Sequence, residues 1–146
     1  QHLLNTHQNQ QANDYLVKFS RLIRKSLETS QQEFCYLDDE IERITLYLQL
    51  EKMRLGEKLV FTIEVDETLD PERIKVPTMS LQTYVENAGI HGVAALRRGG
   101  SIALRFQQRK DELYTLFDDN GHGFPPATPA PQNIRFGLSA TDKRLE

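Results

Sequence analysis

The residues of this 146-residue chain with types suited to chemistry fall in three short segments. Asp118-Asp119-Asn120-Gly121-His122-Gly123 follows a run of alternating apolar residues that ends at Phe117. Glycines at 121 and 123 permit left-handed backbone angles and let a ligand approach with no Cβ in the way. A carboxylate just before them can accept a hydrogen bond from an exocyclic amine, which makes an adenine ring a plausible guest. A polar β-turn accounts for the same residues about equally well. Glu86-Asn87-Ala88-Gly89-Ile90-His91-Gly92 offers a carbonyl oxygen at Asn87, the hard donor Mg²⁺ takes beside waters and phosphates, with Glu86 able to orient the hydration shell. The polar face of an ordinary surface helix is the plainer reading, and His91 alone reads as a structural histidine. In the third segment, Phe136-Gly137-Leu138, backbone N–H groups near Gly137 at a helix start could bind phosphate oxygens.

These segments need a scaffold, and hydrophobic periodicity supplies its outline. Gln1 to Asp14 is rich in Gln and Asn, a composition suited to a helix end or a linker. Leu16, Phe19, Ile23 and Leu27 then recur at helical spacing, and their stripe calls for a partner helix outside this sequence or in a second chain. After a polar break at Thr29 to Glu33, Leu37, Ile41, Ile44, Leu48 and Leu55 mark a second helix, with Gly56 where it should stop. Leu59, Phe61, Ile63 and Val65 alternate as a strand, and Leu69-Asp70-Pro71 reads as a turn. A third helix is expected from Met79 to about His91, with Leu81, Val85 and Ala88 on its apolar stripe. Ile102, Leu104 and Phe106, then Leu113, Thr115 and Phe117, read as hairpin strands. Four prolines between Phe124 and Arg135 predict a loop there, and Ser139 to Glu146 reads as the beginning of a helix. The order predicts helices layered on one face of a mixed sheet.

Composition narrows the classes. With 38% hydrophobic and 27% charged residues the chain can build a packed core. Its formal net charge of −3 provides no basic field for a nucleic acid. The longest apolar run is far below the roughly 20 residues of a bilayer-spanning helix. The single cysteine, Cys35, has no partner for an internal disulfide and reads as a small buried thiol in a reducing compartment.

Taken in order, the Asn-bearing helix, Asp-x-Gly-x-Gly after a strand, a proline-rich loop and a following glycine resemble the N box, first glycine box, lid and second glycine box of the GHKL ATP-binding fold. Upstream, NDYLVKFSRLIRKSLETS (13–30), Tyr47-Leu48-Gln49-Leu50-Glu51-Lys52-Met53-Arg54 and Val76-Pro77-Thr78-Met79-Ser80-Leu81-Gln82 resemble the segments joining dimerisation helices to the ATP domain in LytS/YehU-type sensor histidine kinases.

The resemblance implies an α+β fold, a two-layer α/β sandwich of the GHKL (Bergerat) type with a mixed sheet, preceded by a dimerisation helix. It divides the chain into residues 1–33, the end of the dimerisation and phosphoacceptor region, and 34–146, an ATP-binding domain lacking its C-terminal strands. It implies ATP and Mg²⁺ as cofactors, with Asn87 as metal ligand, Asp119 reading adenine, and His91, Gly121, Gly123, Gly137 and Leu138 at the nucleotide. Implied partners are a second copy of the chain through the N-terminal helix and a response regulator, often of LytTR type. The implied location is the cytoplasmic domain of an inner-membrane sensor. The family's Asn-Pro-His-Phe acceptor motif does not occur here, so the acceptor histidine is expected upstream and the fragment is expected not to autophosphorylate. Ile90 stands where the family places a lysine and Arg135 where it places a glycine, which keeps open a non-catalytic module for dimerisation and partner contact. A GHKL serine kinase or ATPase of another branch fits less well, because of the upstream helix.

Overall fold

The computed structural model describes residues 2–86, 99–119 and 132–137. Helix α1, His2–Thr29, runs through the Gln/Asn-rich opening, so that segment is helix and not linker. After a turn closed by Gln32 N–H on the Thr29 carbonyl (3.0 Å), β1 (Phe34–Tyr36) leads directly into α2 (Leu37–Leu55). Acidic Asp38, Asp39 and Glu40 open α2 and basic Lys52 and Arg54 close it, the arrangement that complements a helix dipole. Gly56 ends the helix at φ 65°, its N–H on the Lys52 carbonyl, as the sequence predicts. A 3₁₀ turn, Gly56–Lys58, hands the chain to β2 (Leu59–Val65).

A three-residue strand, β3 (Lys75–Pro77), precedes α3 (Ser80–Tyr84), and β4 (Gly100–Arg109), β5 (Glu112–Asp119) and β6 (Gln132–Gly137) complete the described elements. Two sheets result: the antiparallel ribbon β1-β3, and a four-stranded sheet in the order β2-β4-β5-β6. β2 and β4 are parallel, whereas β4-β5 and β5-β6 are antiparallel, so the larger sheet is mixed.

The main core lies between α2 and that sheet. Leu37, Ile44 and Leu48 of α2 meet Leu59, Ile102, Leu104, Phe106, Leu113 and Phe117 from the strands, with Leu81 and Val85 beside them. On the opposite sheet face, Val60 and the Glu64–Arg105 pair (3.3 Å) are open to solvent, so among the described residues helices cover one face only. A smaller cluster forms on the outer side of α2, where Leu46 and Leu50 hold Leu22 of α1. Lys25 ties the two helices further, reaching Asp39 at 2.7 Å and Glu42 at 2.6 Å. The stripe of Leu16, Phe19, Ile23 and Leu27 takes no part in this packing and is exposed.

Inside α2, Glu40 and Arg43 pair with each other while only 1% exposed, and the Cys35 thiol donates to the same carboxylate at 3.5 Å. Burial, reinforced by the Glu40 charge, pushes the Cys35 thiol up to about 12.

Three features of the fold depart from the sequence expectation. The short ribbon was not foreseen: Phe34–Tyr36 and Lys75–Pro77 are too brief for periodicity to register. Residues 132–135, expected in the loop, belong to edge strand β6; all four loop prolines precede Gln132, so none interrupts the ladder. Gly137, expected at a helix start, is instead the last residue of that strand.

Candidate functional site

Strand register decides which segments can meet. β5 ends at Asp119, opposite Ile102 near the start of β4, and Gly100 at that start lies opposite Leu59, the first residue of β2. One end of the sheet therefore carries the beginnings of β2 and β4 and the end of β5. Segment 87–98 rejoins the described chain at this end, through Gly99. Segment 120–131 both leaves and returns here, since Gln132 pairs with Phe117. The stretches containing Asn87 and His91 and containing Gly121 and Gly123 are thus anchored at the same end as Asp119, although these four residues themselves lie outside the described residues.

Helix α3 approaches from the α2 side. Leu81 and Val85 are buried in the main core, and the Tyr84 ring meets Phe117 edge-on with centroids 6.3 Å apart. Tyr84 is two residues before Glu86, and Phe117 is two residues before Asp119, so this contact draws the two chemistry-bearing segments toward one another. Met79 starts the helix in the left-handed region at φ 66°, and residues 85 and 86 continue in a π-helical turn, a distortion frequent at functional sites.

Glu86 is half-buried, and its Oε1 accepts a hydrogen bond from the Gln82 side-chain amide at 2.9 Å. The phenol of Tyr47, on the facing side of α2, is pushed up to about 12 by burial first, then by the carboxylates of Glu51 and Glu86, against the opposing charge of Arg54. Gln82 and Tyr47 stand in the sequence only as members of the family-like stretches 76–82 and 47–54, with no role at the site assigned to either. The four-residue spacing from Gln82 to Glu86 was a readable signal on a helix. Tyr47 left none, since only tertiary packing brings it to α3.

Gly137 falls elsewhere. It pairs with Glu112, seven positions from Asp119 along β5, or about 23 Å at 3.3 Å per residue. The described geometry therefore brings α3 against the strand that ends at Asp119 and leaves Gly137 at the opposite end of β5. Leu138, which follows it, lies outside the described residues.

Carboxylate and carboxamide oxygens at Glu86 and Asn87 are hard donors suited to Mg²⁺, which binds through one or two protein oxygens and takes the rest from water and phosphate. The Glu86 carboxylate already has one oxygen fixed by Gln82 and so fits an outer position around such an ion.

Comparison with known proteins identifies relatives of the chain. Residues 1–59 match the Histidine kinase family. The sensor histidine kinase BtsS of Escherichia coli K12 is 33% identical over 136 residues, 93% of this chain and 23% of that protein. The sensor protein LytS of Enterococcus faecalis is 27% identical over 116 residues, covering 80% of this chain and 19% of its own length. An uncharacterised Bacillus subtilis protein, YwpD, is 31% identical over 119 residues, 80% of this chain and 42% of that one. The chain spans about a fifth of the length of the two sensor proteins it matches.

Proposed function

The chain belongs to the LytS/YehU-type sensor histidine kinases, and from that premise we propose that it is the part that holds Mg²⁺-ATP while a histidine outside this sequence receives the γ-phosphoryl group. Helices α2 and α3 over the mixed sheet are read as the GHKL two-layer sandwich. The observation that supports the reading is the Tyr84–Phe117 contact, which packs α3, the helix leading to Asn87, on the strand that ends at Asp119. Asp119 accepts a hydrogen bond from the adenine amine. Gly121 and Gly123 let the main chain close on the nucleotide, and His91 flanks it. Asn87 supplies the metal-binding oxygen, with Glu86 on the hydration shell. When bound, Mg²⁺ neutralises phosphate charge, and phosphoryl transfer depends mainly on such neutralisation and on positioning. Gly137, at the far end of the sheet, takes no part in this arrangement.

The exposed stripe Leu16, Phe19, Ile23 and Leu27 supports pairing of α1 with a second copy of the chain. A response regulator, of LytTR type by family resemblance, is the proposed recipient of the phosphoryl group. The parent is proposed to be a membrane sensor with this part on the cytoplasmic side; among the described residues no helix is long and apolar enough to cross a membrane.

The test is a titration of the chain with a fluorescent, non-hydrolysable ATP analogue in Mg²⁺, beside Asp119→Asn. Saturable binding by the parent, weakened about tenfold or more in the variant by loss of a charge-assisted hydrogen bond, is expected. Absence of binding by both proteins at millimolar nucleotide would defeat the ATP-site reading.

A further inference from the structure

We propose that Gln82 is a positioning residue of the nucleotide site: its side-chain amide fixes the Glu86 carboxylate so that it can engage the hydration shell of a divalent cation. The inference rests on the nucleotide-site reading above and adds a residue to it.

The Gln82 nitrogen donates to Glu86 Oε1 at 2.9 Å, while the Gln82 carbonyl oxygen is buried with no hydrogen-bond partner among the described residues. Leaving a buried amide oxygen unpaired is unfavourable, and an apolar side chain of similar size would avoid it. A stability role alone therefore gives little reason for glutamine here. Positioning gives one, because only a donor can fix the carboxylate.

The surroundings make the hold firm. Leu81 and Val85 anchor α3 in the core on either side of Gln82, and Tyr84 packs on Phe117. The helix switches to a π-turn at residues 85 and 86, which re-aims Glu86 relative to an uninterrupted α-helix. Across from it, Tyr47 presents a phenol whose proton the Glu86 charge helps to retain, so the carboxylate is bordered from α2 as well. Partners of this kind, one bond removed from a metal or its water, set the orientation of the groups that bind.

The 146-residue chain, Gln82→Met, Glu86→Gln and the double variant are compared by titrating Mg²⁺ against a fixed concentration of fluorescent ATP analogue. Gln82→Met preserves volume and removes both the donor and the unpaired oxygen, so its melting temperature should equal or exceed the parent's. It should raise the Mg²⁺ concentration for half-maximal binding about tenfold, the low end for loss of an outer partner. Nucleotide affinity without Mg²⁺ should stay the same, and Gln82→Met should add nothing in the Glu86→Gln background. A parent-like Mg²⁺ curve, equal weakening with and without Mg²⁺, or additive effects in the double variant would overturn the assignment while leaving the nucleotide site intact. Should Gln82→Met not fold, Glu86→Gln alone must show the Mg²⁺ shift, and its absence would likewise overturn it. No nucleotide binding by the parent would defeat the underlying site reading itself.

Discussion

Helices α1 and α2 both carry an apolar stripe at helical spacing, and they use it in opposite ways. In α2, Leu37, Ile44 and Leu48 are fully enclosed by the sheet, while Leu46 and Leu50 face α1 on the other side. In α1, Leu16 and Leu27 remain 61% and 67% exposed, and it is Leu22, off that stripe, that seats against α2. The same pattern therefore marks a domain core in one helix and a surface left for a partner in the other. Periodicity reports that a face is apolar; only the surrounding chain determines what meets it.

That contrast can be broken most severely at the buried pair. Arg43→Met leaves Glu40 enclosed without its partner and should cost about 3–5 kcal/mol in urea denaturation, whereas Glu40→Leu with Arg43→Met should recover most of the loss. Next, Leu48→Ala should cost about 2–5 kcal/mol, because the close-packed site between α2 and the sheet cannot fully collapse. A smaller effect is expected from Tyr47. Its phenol ionises near 12 when folded and near 10 when unfolded, so its contribution to stability is complete below 10 and is lost as pH rises toward about 12. Stability curves of Tyr47→Phe should lack that component, and absorbance titration should assign the late-ionising phenol. Smallest of all, Leu16→Ser with Ile23→Ser should alter the unfolding free energy of the isolated chain by no more than about 0.5 kcal/mol per site. The same pair should abolish any self-association seen by analytical ultracentrifugation. A large loss of stability without a change in mass would erase the distinction between the two helices.

Much of the scaffold was legible because its elements are long and locally consistent. The stripe of α2, the glycine stop at 56 and the alternation through Ile102, Leu104 and Phe106 each follow one period over several residues. The β1-β3 ribbon was not, since its pairing of Cys35 with Val76 joins segments 41 positions apart and leaves no local mark. Nor was β6: prolines up to 131 obscured the alternating Ile134 and Phe136 just beyond them. Residue types at 86, 87 and 119 suggested the chemistry, but only the fold shows that α3 packs on the strand that ends at Asp119. The register puts Gly137 at the other end of β5, which the sequence did not show because a glycine looks alike at a strand end and at a helix start. Gln82 was hidden by its ordinary place on a helix, and Tyr47 by its dependence on a neighbour far along the chain.

The ribbon also limits how the two ends of the molecule can move. Only residues 30–33 separate α1 from β1, and the Glu33 carbonyl already receives the Thr78 N–H at 3.0 Å, two residues before α3 begins. There is no slack tether between the long helix and the one that presents Glu86. Twisting or tugging α1 must load this stitched seam almost at once, so the lever and the jaw it would work share a single short hinge.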